Sequence, residues 1–227
     1  MIRRVCFAVV LASLPLVGLA DDVAIDKVYH PYVQALEHEI EWRMISADGQ
    51  QLHRLGFGKA MSDRLFAEVY LIAEDNDDAD IEIEAIEIEL KWQLSEQGEF
   101  AVDWGLITEI EYEEQDDAWE LAAGLLLEKE WGRWVGTANI WGIYEHSRIE
   151  SEFETALALQ SRYRYSPYIE PAIEFYAGQN TRSLGPVLMG DVRIGSGKKL
   201  HWEAGVIFGI NNSSPDKTWR FLAEYEF

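Results

Sequence analysis

Hydrophobic and polar residues alternate along much of this chain. From Thr218 to Phe227, T-W-R-F-L-A-E-Y-E-F puts Trp219, Phe221, Ala223, Tyr225 and Phe227 at every second position, with Arg220, Leu222, Glu224 and Glu226 between them. A period of two sends successive side chains to opposite faces of a strand. The pattern recurs upstream. Leu36, His38, Ile40, Trp42 and Met44 alternate with Glu37, Glu39, Glu41 and Arg43, and Leu65, Ala67, Val69, Leu71 and Ala73 share one face of a later strand. Over 81–94 the phase slips near Ala85: Ile81 and Ile83 are odd, whereas Ile86, Ile88, Leu90, Trp92 and Leu94 are even. One inserted residue, a β-bulge, produces such a slip. Phe100, Val102, Trp104, Leu106, Ile110 and Tyr112 oppose Asp103, Glu109, Glu111 and Glu113. Farther on, Phe153, Thr155, Leu157 and Leu159 oppose Glu152, Glu154, Gln160, Arg162 and Arg164. The glycine-punctuated stretches 51–60 and 134–145 are weakly phased, and Pro171 suggests a second bulge.

This pattern predicts an all-β fold. The oily faces are aromatic-rich and no segment reads as a covering helix, which disfavours a soluble sandwich burying one face in a core about 10 Å thick. The expected architecture is a transmembrane antiparallel up-and-down β-barrel of about twelve strands, or ten if the weak stretches fail, an even count like that of bacterial barrels. With the first strand rising from the periplasm, the turns at Ser62, Ser95, Gly132, Ser166 and Gly195 fall at the periplasmic end. The polar segments 74–80, 113–117, 178–183 and 211–217 then fall outside, as longer external loops would. Trp42, Trp92, Trp119, Trp131, Trp134, Tyr163, Tyr165 and Trp219 lie near strand ends and suit interfacial girdles.

The stretch 218–227 resembles the C-terminal strand of bacterial outer-membrane β-barrel proteins. In that family a terminal Phe and an aromatic two residues earlier, here Phe227 and Tyr225, form the signal read by the barrel-assembly machinery. Residues 171–176 and 200–227 also resemble segments of small proteobacterial barrels. The resemblance implies a location in the bacterial outer membrane and partners of three kinds: phospholipid, lipopolysaccharide and, transiently, the assembly machinery. It implies no activity.

Arg3 and Arg4 precede an apolar run to Leu19 that ends at Ala20. This reads as a secretory signal peptide over 1–20, cleaved near Ala20, because the run is shorter than the roughly 20 residues of a spanning helix. Residues 21–33, interrupted by Pro31, read as an irregular periplasmic leader, and 34–227 as the barrel. The only cysteine, Cys6, lies in the signal, so no disulfide and no thiolate metal site is expected after cleavage.

The formal net charge of -22 excludes nucleic acid as a partner, since phosphate binding needs a basic surface. Enzyme sites fare no better. His146 and Ser147 are adjacent and would face opposite sides of a strand, which does not make a hydrolase pair. The connections offer little wall for an omptin-like protease site. His30, His38, His53, His146 and His201 are scattered, and the aspartate run 75–80 lacks the glycine and terminal glutamate of an EF-hand loop. No enzyme activity, cofactor or metal is expected. The remaining chemistry is that of the inward face. Its lumen-lining candidates are Glu37, Glu39, Glu41, Glu87, Glu89, Glu109, Glu111, Arg162, Arg164, Arg193 and Arg220, with acid dominating 87–130 and bases gathered in later strands. Such a lumen would concentrate small cations and repel anions if hydrated, making a small cation-preferring pore in a monomer. If its charges instead pair across a narrow space, the same residues make a closed structural or surface-binding barrel.

Overall fold

The computed structural model describes residues 25–75, 81–114, 117–148 and 151–227, with the side chains of 81 and 82 left aside. The expected signal segment 1–20 with its cleavage point, residues 21–24 and the aspartates of 76–80 lie outside the described residues.

Twelve strands form one closed antiparallel barrel, each pairing with its sequence neighbours and the last with the first. They are β1 (His38–Ala47), β2 (Gln50–Ala60), β3 (Leu65–Asp75), β4 (Ile81–Gln93), β5 (Asp103–Glu113) and β6 (Ala118–Trp131). The second half is β7 (Trp134–His146), β8 (Ser151–Tyr163), β9 (Glu170–Ala177), β10 (Arg182–Gly195), β11 (Lys198–Gly209) and β12 (Lys217–Glu226). Among the described residues no helix is long and apolar enough to cross a membrane.

Alternation decides which way each side chain points. Ile40, Trp42, Phe57, Ile86, Ile88, Leu90, Leu106, Ile110, Leu121 and Phe221 stand exposed on the outside, and the carboxylates between them point inward. A continuous apolar exterior of this size has a physical sense in lipid, where the closed ladder also satisfies the backbone. Gly136 and Ala138 leave a dent in this belt, bordered by Trp131, Leu127, Leu159 and Phe175.

The seam is closed by Phe227. Its N–H donates to the His38 carbonyl at 2.9 Å, the His38 N–H donates to its carbonyl at 3.1 Å, and its ring stacks 5.8 Å from His38 and 5.5 Å from Tyr225. Tyr225 and Phe227 thus finish the ladder between first and last strands.

Local features follow the sequence, with exceptions. Asp48 and Gly49 both have positive φ, as a two-residue turn matching strand twist requires. The phase slip is a register shift where Ile72 faces Ala85 and Ala73 faces Ile83. Pro171 makes no bulge: its register with β10 is unbroken, and the pairing of β9 with β8 ends at Ala172, leaving the proline on a free edge there. β1 begins at His38 rather than Gln34, and β5 at Asp103 rather than at Phe100, because 34–37 and 94–102 form turns. Connections at the end holding β1's start and Phe227, the near end, include 94–102, while the longest at the far end is 210–216. Both ends are therefore low-walled, and the expected contrast in loop length is absent.

Candidate functional site

The barrel interior is occupied. Residues 25–33, the latter part of the irregular leader, run inside the wall from the near end to mid-height, held by side chains from β1, β4, β5, β6, β7, β9 and β12. At the near end the Val33 N–H donates to Gln93 Oε1 at 2.8 Å, and Tyr32 Oη to Asp103 at 2.9 Å. His30 pairs with Glu128, which also accepts from Thr137 at 3.0 Å. Asn139 brackets Tyr29, accepting from its N–H and donating to its carbonyl, both at 2.8 Å. This is a one-rung imitation of strand pairing, supplied by a side chain.

Mid-height carries the charge. Lys27 Nζ lies 2.5 Å from Glu41 and 3.0 Å from Tyr70 Oη. The Asp26 carboxylate pairs with Arg43, whose guanidinium also donates to Glu41 at 2.6 Å. Arg220 donates to the Asp26 carbonyl at 2.5 Å, to Glu174 at 3.0 Å and to Glu203 at 2.7 Å. Arg43 and Arg220 are both 0% exposed. Charges so enclosed are tolerable only when paired and fully hydrogen-bonded, which these networks largely achieve. Apolar contacts finish the seat: Ile25 and Val28 pack with Ala158, Tyr176 and Ile207, and Tyr29 packs with Ile107, Leu126 and the edge of Trp141.

The weakly phased strands are explained by this interior. Gly56 and Gly58 point inward on β2, and a Cβ there would strike Tyr70 and Glu68, or Phe66 and Glu39. On β7 the inward residues are Val135, Thr137, Asn139 and Trp141, so polarity and direction no longer coincide.

The sequence-selected residues fall into three groups. Glu39, Glu41, Glu87 and Glu89 are buried within the lumen, as is Arg220, while Glu109, Glu111 and Arg162 are partly enclosed there. Arg54, on the weakly phased β2, serves the acidic wall, bonding Glu87 at 2.7 Å and reaching Glu111 at 3.6 Å. Arg162 pairs with Glu170 at 3.2 Å. The rest sit at the near rim: Arg164 bonds Glu130 at 2.6 Å, Arg193 is exposed beside Lys199, and Glu37 is tied through Gln34 to Glu226. Burial of Glu37 and a hydrogen bond shared with Glu226 push its carboxyl up to about 8. The acid-rich stretch 87–130 forms one side of the wall, β4 to β6, and much of the base of the later strands is already paired with Glu170, Glu174 and Glu203.

No family model matches the chain, and no curated protein matches it significantly. Solved structures do match in shape. A crystal structure of an outer-membrane channel from Pseudomonas putida F1 superposes with a TM-score of 0.58 at 13% identity, covering 89% of this chain and 98% of that one. The KdgM porin in complex with disordered oligogalacturonate gives 0.57 at 8% identity, covering 83% and 98%. The NanC porin gives 0.54 at 9%, covering 84% and 98%. The chain has the fold of outer-membrane channels.

Proposed function

We propose that the protein is a bacterial outer-membrane channel with a cation-preferring lumen, gated by its own residues 25–33. The observation that carries this reading is the seat of that segment: a stretch outside the barrel's hydrogen-bond ladder fills a lumen whose wall is acid-rich, and most of its bonds are to side chains. Leaving costs the ladder nothing, and what it uncovers is a carboxylate wall. The likeness to channels supports a pore, and the apolar belt supports lipid and lipopolysaccharide as its surroundings. Export through a signal over 1–20 and insertion by the assembly machinery through Tyr225 and Phe227 belong to the same proposal, as does a monomeric state. A permanently closed barrel is the second reading, favoured by the complete enclosure of Arg43 and Arg220.

Selectivity tests the first reading. A lumen potential of only about one kT per charge enriches a monovalent cation over an anion about sevenfold. In a planar bilayer under a potassium chloride gradient, the open barrel should give a reversal potential of cation-selective sign. The double change Glu109→Gln with Glu111→Gln should move it toward zero. An anion-selective sign, or a potential unmoved by that change, counts against the acidic wall as the filter.

A further inference from the structure

We infer that the barrel wall holds a divalent cation, of which Ca²⁺ fits best, between Glu87, Glu89 and Glu109. The inference stands whether or not the barrel conducts. Glu87 and Glu89 point inward from β4, and Glu109 is the direct cross-strand partner of Glu89 on β5. One carboxylate oxygen from each lies within 4.8 Å of the other two. Oxygens that all touch one Ca²⁺ at about 2.3–2.6 Å stand at most about 5 Å apart, a limit this set meets, and Ca²⁺ suits ligands supplied by the protein better than Mg²⁺, which keeps several of its waters.

The state of the oxygens points to a ligand independently of the clustering. Glu87 and Glu89 are each 1% exposed, and Glu87 Oε1 and Glu89 Oε2 have no hydrogen-bond partner. Glu68, the cross-strand neighbour of Glu89 on β3, turns its Oε1 toward Gly56 on β2 and stays outside the set. The buried hydroxyl of Tyr29, whose ring packs on Ile107 two residues before Glu109 on β5, is also unpartnered. Among the described residues, Arg54 is committed to Glu87 Oε2 and Glu111, and Lys27 to Glu41; no ion pair reaches Glu89 or Glu109. Lys91 stands over the Phe66 ring. Buried carboxylates left in this condition are costly, and a hard cation with oxygen ligands relieves the repulsion of all of them together.

The test uses the full chain, folded in detergent and stripped with EDTA. Titration with CaCl₂ by calorimetry should show one saturable site that raises the unfolding temperature, with MgCl₂ binding about tenfold or more weaker. The double change Glu89→Gln with Glu109→Gln should weaken Ca²⁺ binding by about tenfold or more while leaving the EDTA-treated protein folded, since it removes repulsion rather than a pair. Two results overturn the proposal: folded wild-type protein that shows no saturable Ca²⁺ binding at millimolar concentration, as when the carboxyls share protons instead, or a double variant that binds Ca²⁺ as the wild type does.

Discussion

Deletion of residues 21–33 should turn a silent or briefly flickering barrel into one that conducts steadily. The twelve strands keep every ladder bond, because residues 25–33 contribute none to them. What is lost is the occupant of the lumen, and water then reaches Arg43, Arg220, Asn139 and Glu128, which the segment now covers. A milder change should have a graded effect. Moving a two-state equilibrium from 99:1 to 1:99 takes about 5.5 kcal/mol. Hydrogen bonds to charged groups are worth about 1.5–3 kcal/mol each, so losing the Asp26 and Lys27 side-chain contacts comes close to that figure. The double change Asp26→Ala with Lys27→Ala should therefore lengthen open dwell times in single-channel records without abolishing closure. Equal silence from the full chain and the deletion, both shown to be folded, would favour the permanently closed barrel.

Arg220→Met should be among the most damaging single substitutions in the wall. The guanidinium is fully enclosed and serves Glu174, Glu203, Tyr176 and the Asp26 carbonyl at once. Removing it leaves two buried carboxylates facing one another, and breaking a buried pair by deleting one partner costs about 3–5 kcal/mol. The expected sign is a large drop in the denaturant midpoint and loss of the folded, heat-modifiable band on a detergent gel. Adding Glu174→Gln and Glu203→Gln to Arg220→Met should restore much of the loss, because the stranded charges are then gone. If the single variant is as stable as the wild type, water or ions already satisfy that cluster and Arg220 is not its keystone.

The wall was legible in the sequence because lipid outside and charge inside impose a strict period of two, and even the bulge near Ala85 showed as a change of phase. The count of twelve could be read for the same reason. The occupant was not legible. A leader such as 25–33, broken by Pro31 and without a period of its own, does not show in sequence that it folds back through a ring of strands. Its trace was present in residues that spoil the pattern. Ile107, Leu126 and Ile207 are apolar on the inward phase, and Val135 and Trp141 blur β7, because they pack on Tyr29, on Ile25 and Val28, or deep in the wall. Gly56 and Gly58 blur β2 because the side chains filling the interior need their missing Cβ atoms. An oily residue on the charged face of a barrel strand thus marks something inside. Which carboxylates pair was equally hidden, since Arg54 with Glu87 and Arg220 with Glu203 are set by curvature and register rather than by spacing.

The most direct test of the gate is a cysteine pair, Tyr29→Cys with Asn139→Cys, in a chain whose only native cysteine, Cys6, is also replaced. The Tyr29 backbone and the Asn139 side chain are in hydrogen-bond contact, which sets the two residues side by side, and a disulfide forms between them if their Cβ atoms reach about 3.5–4.5 Å. Folded, cross-linked protein should remain silent in a planar bilayer while oxidised and gain openings on reduction with dithiothreitol, because the reduced pair lacks the Asn139 hydrogen bonds that hold Tyr29. Equal conductance before and after reduction of a formed cross-link would contradict the role of residues 25–33 as the gate.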